Sequence, residues 1–380
     1  MGRGFQKVTM KFFAVMRERK RWLAALGLCL GVGLILVVGA EIYLRRTATH
    51  IVLQDASNLP RRVESNPGFL IAHTPRGRRL IPGARVIIRN HYLSHRDIVM
   101  NINTLGFRDE EIPDKKEEGE IRILVLGDSL TWGDYLQAEE VFVERLEHYL
   151  SAVLDGQRVR VINAGVGDIG LREELDILVE RGLSVQPDIV LVAHSLNDGR
   201  PPWGFPGELG GRGWLRRHSL VAETLYRKLK LLRWVSQQGE ARFQWVWMAD
   251  FFDWKRDRES FLRLASYAKY DWGSAWEEET WPVIQRAFEQ LRALSQEYEF
   301  SVFVVAFPVM YQVYAEFVED APQKVLRHLS EIQGFRYLDL LPMLRQARGQ
   351  NLFFDHCHPR VETNDLVGRE IAAFFLREML

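Results

Sequence analysis

Ile121-Arg122-Ile123-Leu124-Val125-Leu126-Gly127-Asp128-Ser129-Leu130 decides how this chain is read. A mostly apolar run rich in β-formers stops at a glycine turn that carries a serine. That is the pattern of a buried parallel strand whose carboxyl end presents a hydroxyl. Open α/β sheets bind their ligands at that edge. Further strands are expected at 159–162, 189–193, 302–307 and 335–338, alternating with amphipathic helices at 139–154, 172–183, 281–298, 322–331 and 364–376. The alternation calls for a parallel sheet covered by helices on both faces.

A serine is a weak nucleophile until a neighbouring base takes its proton, and that base needs a partner to fix its tautomer. Asp355-His356-Cys357-His358-Pro359 supplies both groups. On a tight turn Asp355 accepts the Nδ1 proton of His358 while Nε2 faces Ser129. His356 competes for the role of base, since alternate side chains of an extended segment share a direction. The three-residue offset from Asp355 and the following Pro359 favour His358. Asn163-Ala164-Gly165 and Asn197-Asp198 each follow a β-rich run, so each emerges at the same sheet edge as Ser129. The N–H groups of Ser129 and Gly165 and the side-chain amide of Asn197 are the expected donors to a developing oxyanion. Asp128 reads as a structural acceptor of backbone N–H groups, and His194 as packing at a strand end.

In these four blocks, and in their order, the chain resembles the SGNH (GDSL-type) hydrolases, esterases and lipases of α/β fold. The blocks are Gly127-Asp128-Ser129-Leu130, Gly165, Asn197 with Asp198, and Asp355 with His358. The resemblance runs from about residue 121 to the C-terminus. It implies a three-layer α/β/α domain, a five-stranded flavodoxin-like sheet of order 2-1-3-4-5, and an acyl-serine mechanism. One departure is that the third block usually reads Gly-x-Asn-Asp, and Ser195 occupies the glycine position here. No cofactor is implied. His356-Cys357-His358 is not read as a metal site, because adjacent residues rarely converge on one ion and no other His/Cys cluster completes a ligand set.

Residues 23–40 form an uncharged, mostly apolar run of about 27 Å as a helix, enough to span a bilayer core. Arg3, Lys7, Lys11, Arg17, Arg19, Lys20 and Arg21 precede it, so a single-pass anchor (23–43) is expected with a cytoplasmic basic tail (1–22) and an outward-facing remainder. By the resemblance to bacterial members, that places the chain in the cytoplasmic membrane with its catalytic domain in the periplasm. Val38-Gly39-Ala40 offers a passable cleavage site, but the long basic segment and long apolar run favour an uncleaved anchor. Leu28 before Cys29 does not suit a lipoprotein box. Cys29 and Cys357 are the two cysteines, and no disulfide between them is expected.

The net charge is zero, with 50 residues of each sign. Residues 1–46 hold nine Lys/Arg and two Asp/Glu, leaving 41 basic and 48 acidic residues beyond the anchor. A mildly acidic outer part gives no reason to expect nucleic-acid binding.

Residues 44–118 read as a small strand-rich accessory module and linker, ending in Asn103-Thr104-Leu105-Gly106-Phe107-Arg108-Asp109. Membrane-anchored bacterial members of the resembled family often carry a closely similar ending before the nucleophile strand. Residues 110–120 read as a solvated linker. The hydrolase domain then covers 119–380, interrupted at 199–279 by an insertion far longer than an ordinary connection. Eight tryptophans fall there: Trp203, Trp214, Trp234, Trp245, Trp247, Trp254, Trp272 and Trp276. Most are expected in the core of a helical subdomain. Trp203, in a Pro/Gly loop close to Asn197, is the candidate for substrate contact.

The expected function is ester hydrolysis on an acylated glycan or lipid-like substrate outside the membrane. Two alternatives stand beside it: an O-acyltransferase that passes the acyl group to an exported polysaccharide, and a non-catalytic glycan-binding or assembly protein on the same fold.

Overall fold

A computed structural model of the protein describes residues 2–55, 70–74, 76–154, 156–200, 214–238 and 244–379. The chain divides into two units, one of residues 1–48 with 213–226 and one of residues 49–212 with 227–380. In the first, α1 (Gly2–Thr47) is a single continuous helix. Its stretch Glu18–Thr47 is long and apolar enough to cross a membrane. Leu23, Leu28, Leu34 and Leu36 are all exposed on it.

The second unit opens with the strand-rich module: β1 (His50–Asp55), β2 (Ile71–Thr74), β3 (Gly77–Leu80), β4 (Arg85–Arg89) and β5 (Ile98–Asn101). β1, β4 and β5 make an antiparallel sheet in that order, and β2 pairs with β3 as a hairpin. The part that carries the main sheet follows with β6 (Ile121–Gly127), α2 (Ser129–Trp132), α3 (Phe142–Val153), β7 (Val159–Asn163), α4 (Leu171–Glu180) and β8 (Ile189–Ser195). The insertion carries α5 (Trp214–His218), α6 (Leu220–Gln238), α7 (Gln244–Met248) and α8 (Arg258–Tyr267). The chain ends with α9 (Trp281–Tyr298), β9 (Ser301–Phe307), α10 (Met310–Tyr314), α11 (Ala321–Gln333), β10 (Arg336–Asp339), α12 (Leu341–Gln346) and α13 (Val361–Met379).

The main sheet is wholly parallel, with order β10-β9-β8-β6-β7. Numbered within the domain this is 2-1-3-4-5, the expected order. The strands are buried on both faces, and their residues divide between two cores with the period of two that a pleated strand imposes. Ile123, Val125, Leu191, Phe303 and Val305 join one core with Phe142 and Leu146 of α3 and Ile371 and Phe375 of α13. Leu124, Leu126, Val190, Val192 and Val304 join the other with Leu175 of α4, Phe288 of α9 and Leu326 of α11. Helices therefore cover both faces, giving three layers.

The second core also takes in Leu80, Val86, Ile98 and Met100 of the module, so module and sheet share one apolar interior. Trp245, Trp272, Trp254 and Trp276 of the insertion pack in the first core, as expected for most of its indoles. Trp214 and Trp247 are instead exposed.

Residues 110–120 are mostly exposed, as a solvated linker requires, yet the segment is tied to the sheet. Arg122 on β6 is fully buried, and its guanidinium donates to the carbonyls of Pro113 (3.1 Å), Lys115 (3.3 Å) and Val185 (2.9 Å) and to Glu120 Oε2 (3.1 Å). Lys116 adds an ion pair with Asp188. One buried cation with several carbonyl acceptors straps the segment down, a contact that its polar composition conceals.

Candidate active site

Gly127 ends β6 beside Ala193 on β8, and Val125 faces Asn163 on β7, so the first three blocks converge at the carboxyl edge of the sheet. Asp128 caps α2, its carboxylate accepting the N–H of Leu130 at 3.0 Å. That is the structural role its position suggests, and it fixes Ser129 as the first residue of the helix. Gly165 is required to be glycine by proximity, since a Cβ there would lie 2.3 Å from the backbone nitrogen of Trp132. The second block thus packs directly on the helix that carries Ser129.

The last block forms a tight turn closed by a bridge between Phe353 and Pro359 and by the bond from Phe354 N–H to His358 C=O at 2.8 Å. Within it, Asp355 Oδ1 accepts the N–H groups of Cys357 (3.0 Å) and His358 (2.9 Å). The same carboxylate lies 2.8 Å from His358 Nδ1, and His358 Nε2 lies 2.9 Å from Ser129 Oγ. His356 turns elsewhere: its Nε2 is 3.5 Å from Asp271, and its ring meets Trp245 edge-on at 4.7 Å. The structure therefore brings Ser129, His358 and Asp355 into one line and leaves His356 outside it.

Burial by itself would raise the Asp355 pKa. The charge of His358 and its hydrogen bond, helped by His356, overcome that and hold the carboxyl well below the usual carboxylate range. For His358 burial works downward, and the Asp355 carboxylate raises the imidazole above its ordinary value. The Cys357 thiol, 3.6 Å from His358 Nδ1, is buried and pushed up, first by burial and then by Asp355. Asp355, Cys357 and His358 bring ligand-type atoms close together, but a protonated thiol and an imidazole already bonded on Nδ1 make a poor donor set for a metal.

The expected oxyanion donors are differently disposed. As the first residue of α2, Ser129 has no intrahelical acceptor for its N–H. The Gly165 N–H donates to Asn163 Oδ1 at 3.0 Å, so it reaches a substrate oxygen only by sharing that bond. Asn197 is half-buried at the same edge, and its Oδ1 has no hydrogen-bond partner. Ser195, in the place of the usual glycine, is accommodated: its N–H donates to Asp198 Oδ2 at 2.8 Å, and Asp198 N–H returns a bond to the Ser195 carbonyl. His194 lies 3.2 Å from the same carboxylate, and burial pushes its imidazole down to about 3. It is a buried neutral ring. Trp203 lies outside the described residues.

Two sets of neighbours were not singled out as site residues in the sequence. Arg108, in the motif that ends the module, is buried and donates to the carbonyls of Trp132 (2.8 Å), Gly133 (2.5 Å) and Leu136 (2.6 Å). It closes the C-terminal end of the helix that Ser129 begins. Next to it, Asp109 accepts the N–H of Asn163 at 3.2 Å. Asn103 Oδ1 accepts the N–H groups of Leu105 and Phe107, and Gly106 takes a positive φ of 84°, which shapes the loop that delivers Arg108. The module's motif is a brace for the first two blocks. On the other side, Tyr135 packs edge-on against the His358 ring at 5.0 Å and holds its plane. In sequence Arg108 is marked only by its place in the motif that ends the module, beside the aromatic Phe107.

No family model and no curated protein matches the chain. Solved structures do resemble it in fold. An acetyl xylan esterase is 12% identical, with 68% of this chain and 100% of that chain covered at a TM-score of 0.40. A structure described as a lipolytic protein of the G-D-S-L family, from Desulfitobacterium hafniense, is 11% identical, with 67% and 98% covered at 0.38. An acetylxylan esterase from Geobacillus stearothermophilus is 14% identical, with 68% and 94% covered at 0.39. In its own strand order the chain has a three-layer α/β/α fold with a flavodoxin-like sheet, and its four blocks meet at the carboxyl edge of that sheet.

Proposed function

We propose that this chain is a serine esterase of SGNH type that works through an acyl-serine, held at a membrane by α1 with its catalytic part outside. The observation that carries the reading is the hydrogen-bonded line Ser129–His358–Asp355. His358 Nε2 takes the proton of Ser129 Oγ as the oxygen attacks an ester carbonyl, and returns it to the leaving alcohol. Asp355 keeps the Nδ1 tautomer and stabilises the imidazolium. Water, activated by the same imidazole, then releases the acid.

The Ser129 N–H and the Asn197 amide are the first donors to the oxyanion, with Gly165 N–H as a shared third. The outward orientation rests on the basic flank before the apolar run. An ester-bearing glycan or lipid is the substrate class that such a location supplies. A panel of acyl esters of increasing chain length, assayed on the full chain in detergent with Ser129→Ala as the blank, tests the activity. Hydrolysis by the parent and none by the variant is expected. Turnover that survives Ser129→Ala contradicts the reading.

A further inference from the structure

We infer that α5 and α6 form a second membrane contact, an interfacial helix that lies on an anionic phospholipid surface where α1 leaves the bilayer. This rests on α1 spanning that bilayer, as proposed above, and goes beyond the esterase reading.

The first observation is a covalently distant helix cap. Glu41 is the first charged residue after the apolar run of α1. Its carboxylate accepts the backbone N–H groups of Leu220 (2.9 Å) and Val221 (3.0 Å) and the hydroxyl of Ser219 (2.9 Å). These are the free donors that open α6, and a carboxylate is the favoured charge at that end of a helix. Arg45, one turn further along α1, bonds both Glu41 (2.7 Å) and the carbonyl of His218 (3.1 Å). The start of α6 is therefore tied to the level on α1 where hydrocarbon gives way to headgroups.

The second observation is what this pinned segment exposes. Trp214 is 73% exposed and Leu215 61%. Leu225, Leu229 and Leu232, spaced to share one helical face, are each more than half exposed. In sequence the same helix carries Arg227, Lys228, Lys230 and Arg233. A leucine stripe, a flanking tryptophan and several cations suit the boundary of acyl chains and anionic headgroups, into which such a helix sinks by about 5–10 Å. A water-facing helix has no use for three open leucines. The Glu41 cap fixes the depth at which the first turn of α6 meets lipid.

The test places an environment-sensitive fluorophore on single cysteines in the full chain, with Cys29→Ala and Cys357→Ala as background. The chain is reconstituted in nanodiscs containing phosphatidylglycerol. Labels at Leu225→Cys and Leu229→Cys are expected to shift to the blue, to be quenched by doxyl-labelled lipids and to resist iodide. A label at Lys228→Cys should be quenched less. Leu34→Cys, inside α1, is the control for the anchor. Quenching at position 34 with iodide-accessible labels at 225 and 229 overturns the interfacial contact alone. Absence of lipid quenching at all three overturns it together with the anchor. Protection at 225 and 229 that appears only in discs holding two copies assigns the face to a second chain and also overturns it. Labelling of Ser129 by a fluorophosphonate reads the esterase proposal separately in every case.

Discussion

His358 Nε2 lies 2.9 Å from Ser129 Oγ although 229 positions separate the two residues in the chain. The parallel sheet makes this possible, because β6 delivers the serine to its carboxyl edge and the turn before α13 returns the histidine to the same edge. Asp355 completes the line with a carboxylate bonded to both the ring and the backbone N–H of His358. The same carboxylate that fixes the turn thus orients the base.

Asp355→Asn removes the charge while keeping the shape of the side chain. The expected result is a fall in kcat on the order of 10⁴, with KM nearly unchanged, because the imidazolium loses its counter-charge and the wrong tautomer is favoured. Steady-state kinetics on a short acyl ester checks it.

The pH profile should report the raised imidazole. Catalysis needs His358 neutral, so kcat/KM falls as pH drops through a pKa above the ordinary value of about 6.5. In Asp355→Asn this acid limb should move to lower pH, since the carboxylate is what raises it. For stability the sign is opposite: the His358–Asp355 pair contributes fully below the unfolded imidazole value and is lost as pH rises through the folded one. A limb that stays in place in the variant excludes Asp355 as the cause.

Asn197→Ala should lower kcat by about 10²–10³ and leave KM nearly constant, as expected for a donor to charge that develops only in the transition state. A change confined to KM would make Asn197 a binding residue.

Arg108→Gln tests the brace beneath Ser129. The buried guanidinium serves three carbonyls at the end of α2, and a hydrogen bond from a charged donor is worth about 1.5–3 kcal/mol. Denaturant unfolding should show a loss of about 3 kcal/mol or more. At temperatures where the variant remains folded, its kcat should also fall, because the serine's helix is no longer held.

Glu174 in α4 is 1% exposed, and neither carboxylate oxygen has a hydrogen-bond partner. Burial raises its pKa well above the ordinary value, and the nearby Asp128 carboxylate adds to the rise. Asp198 is raised in the same way, by burial first and then by Glu174 and Asp128. The folded state therefore holds protons that the unfolded state releases, so stability falls as pH rises from about 4.3 toward the raised values. Glu174→Gln should flatten this dependence and raise Tm at pH 8 by about 2–4 °C. Melting curves at pH 5 and pH 8 decide it.

Much of the fold was legible because strongly periodic elements leave clear marks. The five apolar strands and the helices that answer to α3, α4, α9, α11 and α13 were placed to within a few residues. The sheet order came only from the family resemblance, since periodicity carries no pairing information. Ser129, Asp355 and His358 could be named because each sits at a fixed offset from a strand or a proline. The state of Gly165 could not, because a bond from its N–H to Asn163 is a local turn whose closure no spacing reveals.

Arg108 and Arg122 stayed hidden for a related reason. A charged residue reads as solvated until carbonyl acceptors from distant segments are seen to surround it, and Pro113, Lys115 and Val185 give no sign in sequence of converging on Arg122. The cap that Glu41 places on α6 is of the same kind, a contact across nearly 180 positions.

Activation of Ser129 by His358, proposed from their 2.9 Å contact, is directly measurable. A fluorophosphonate probe, which reacts with activated serines, measures this on the intact chain. Covalent labelling is expected at Ser129 in the parent, with none in Ser129→Ala and strongly slowed labelling in His358→Ala. Labelling that persists in Ser129→Ala, or a parent that does not react while remaining folded, would contradict it.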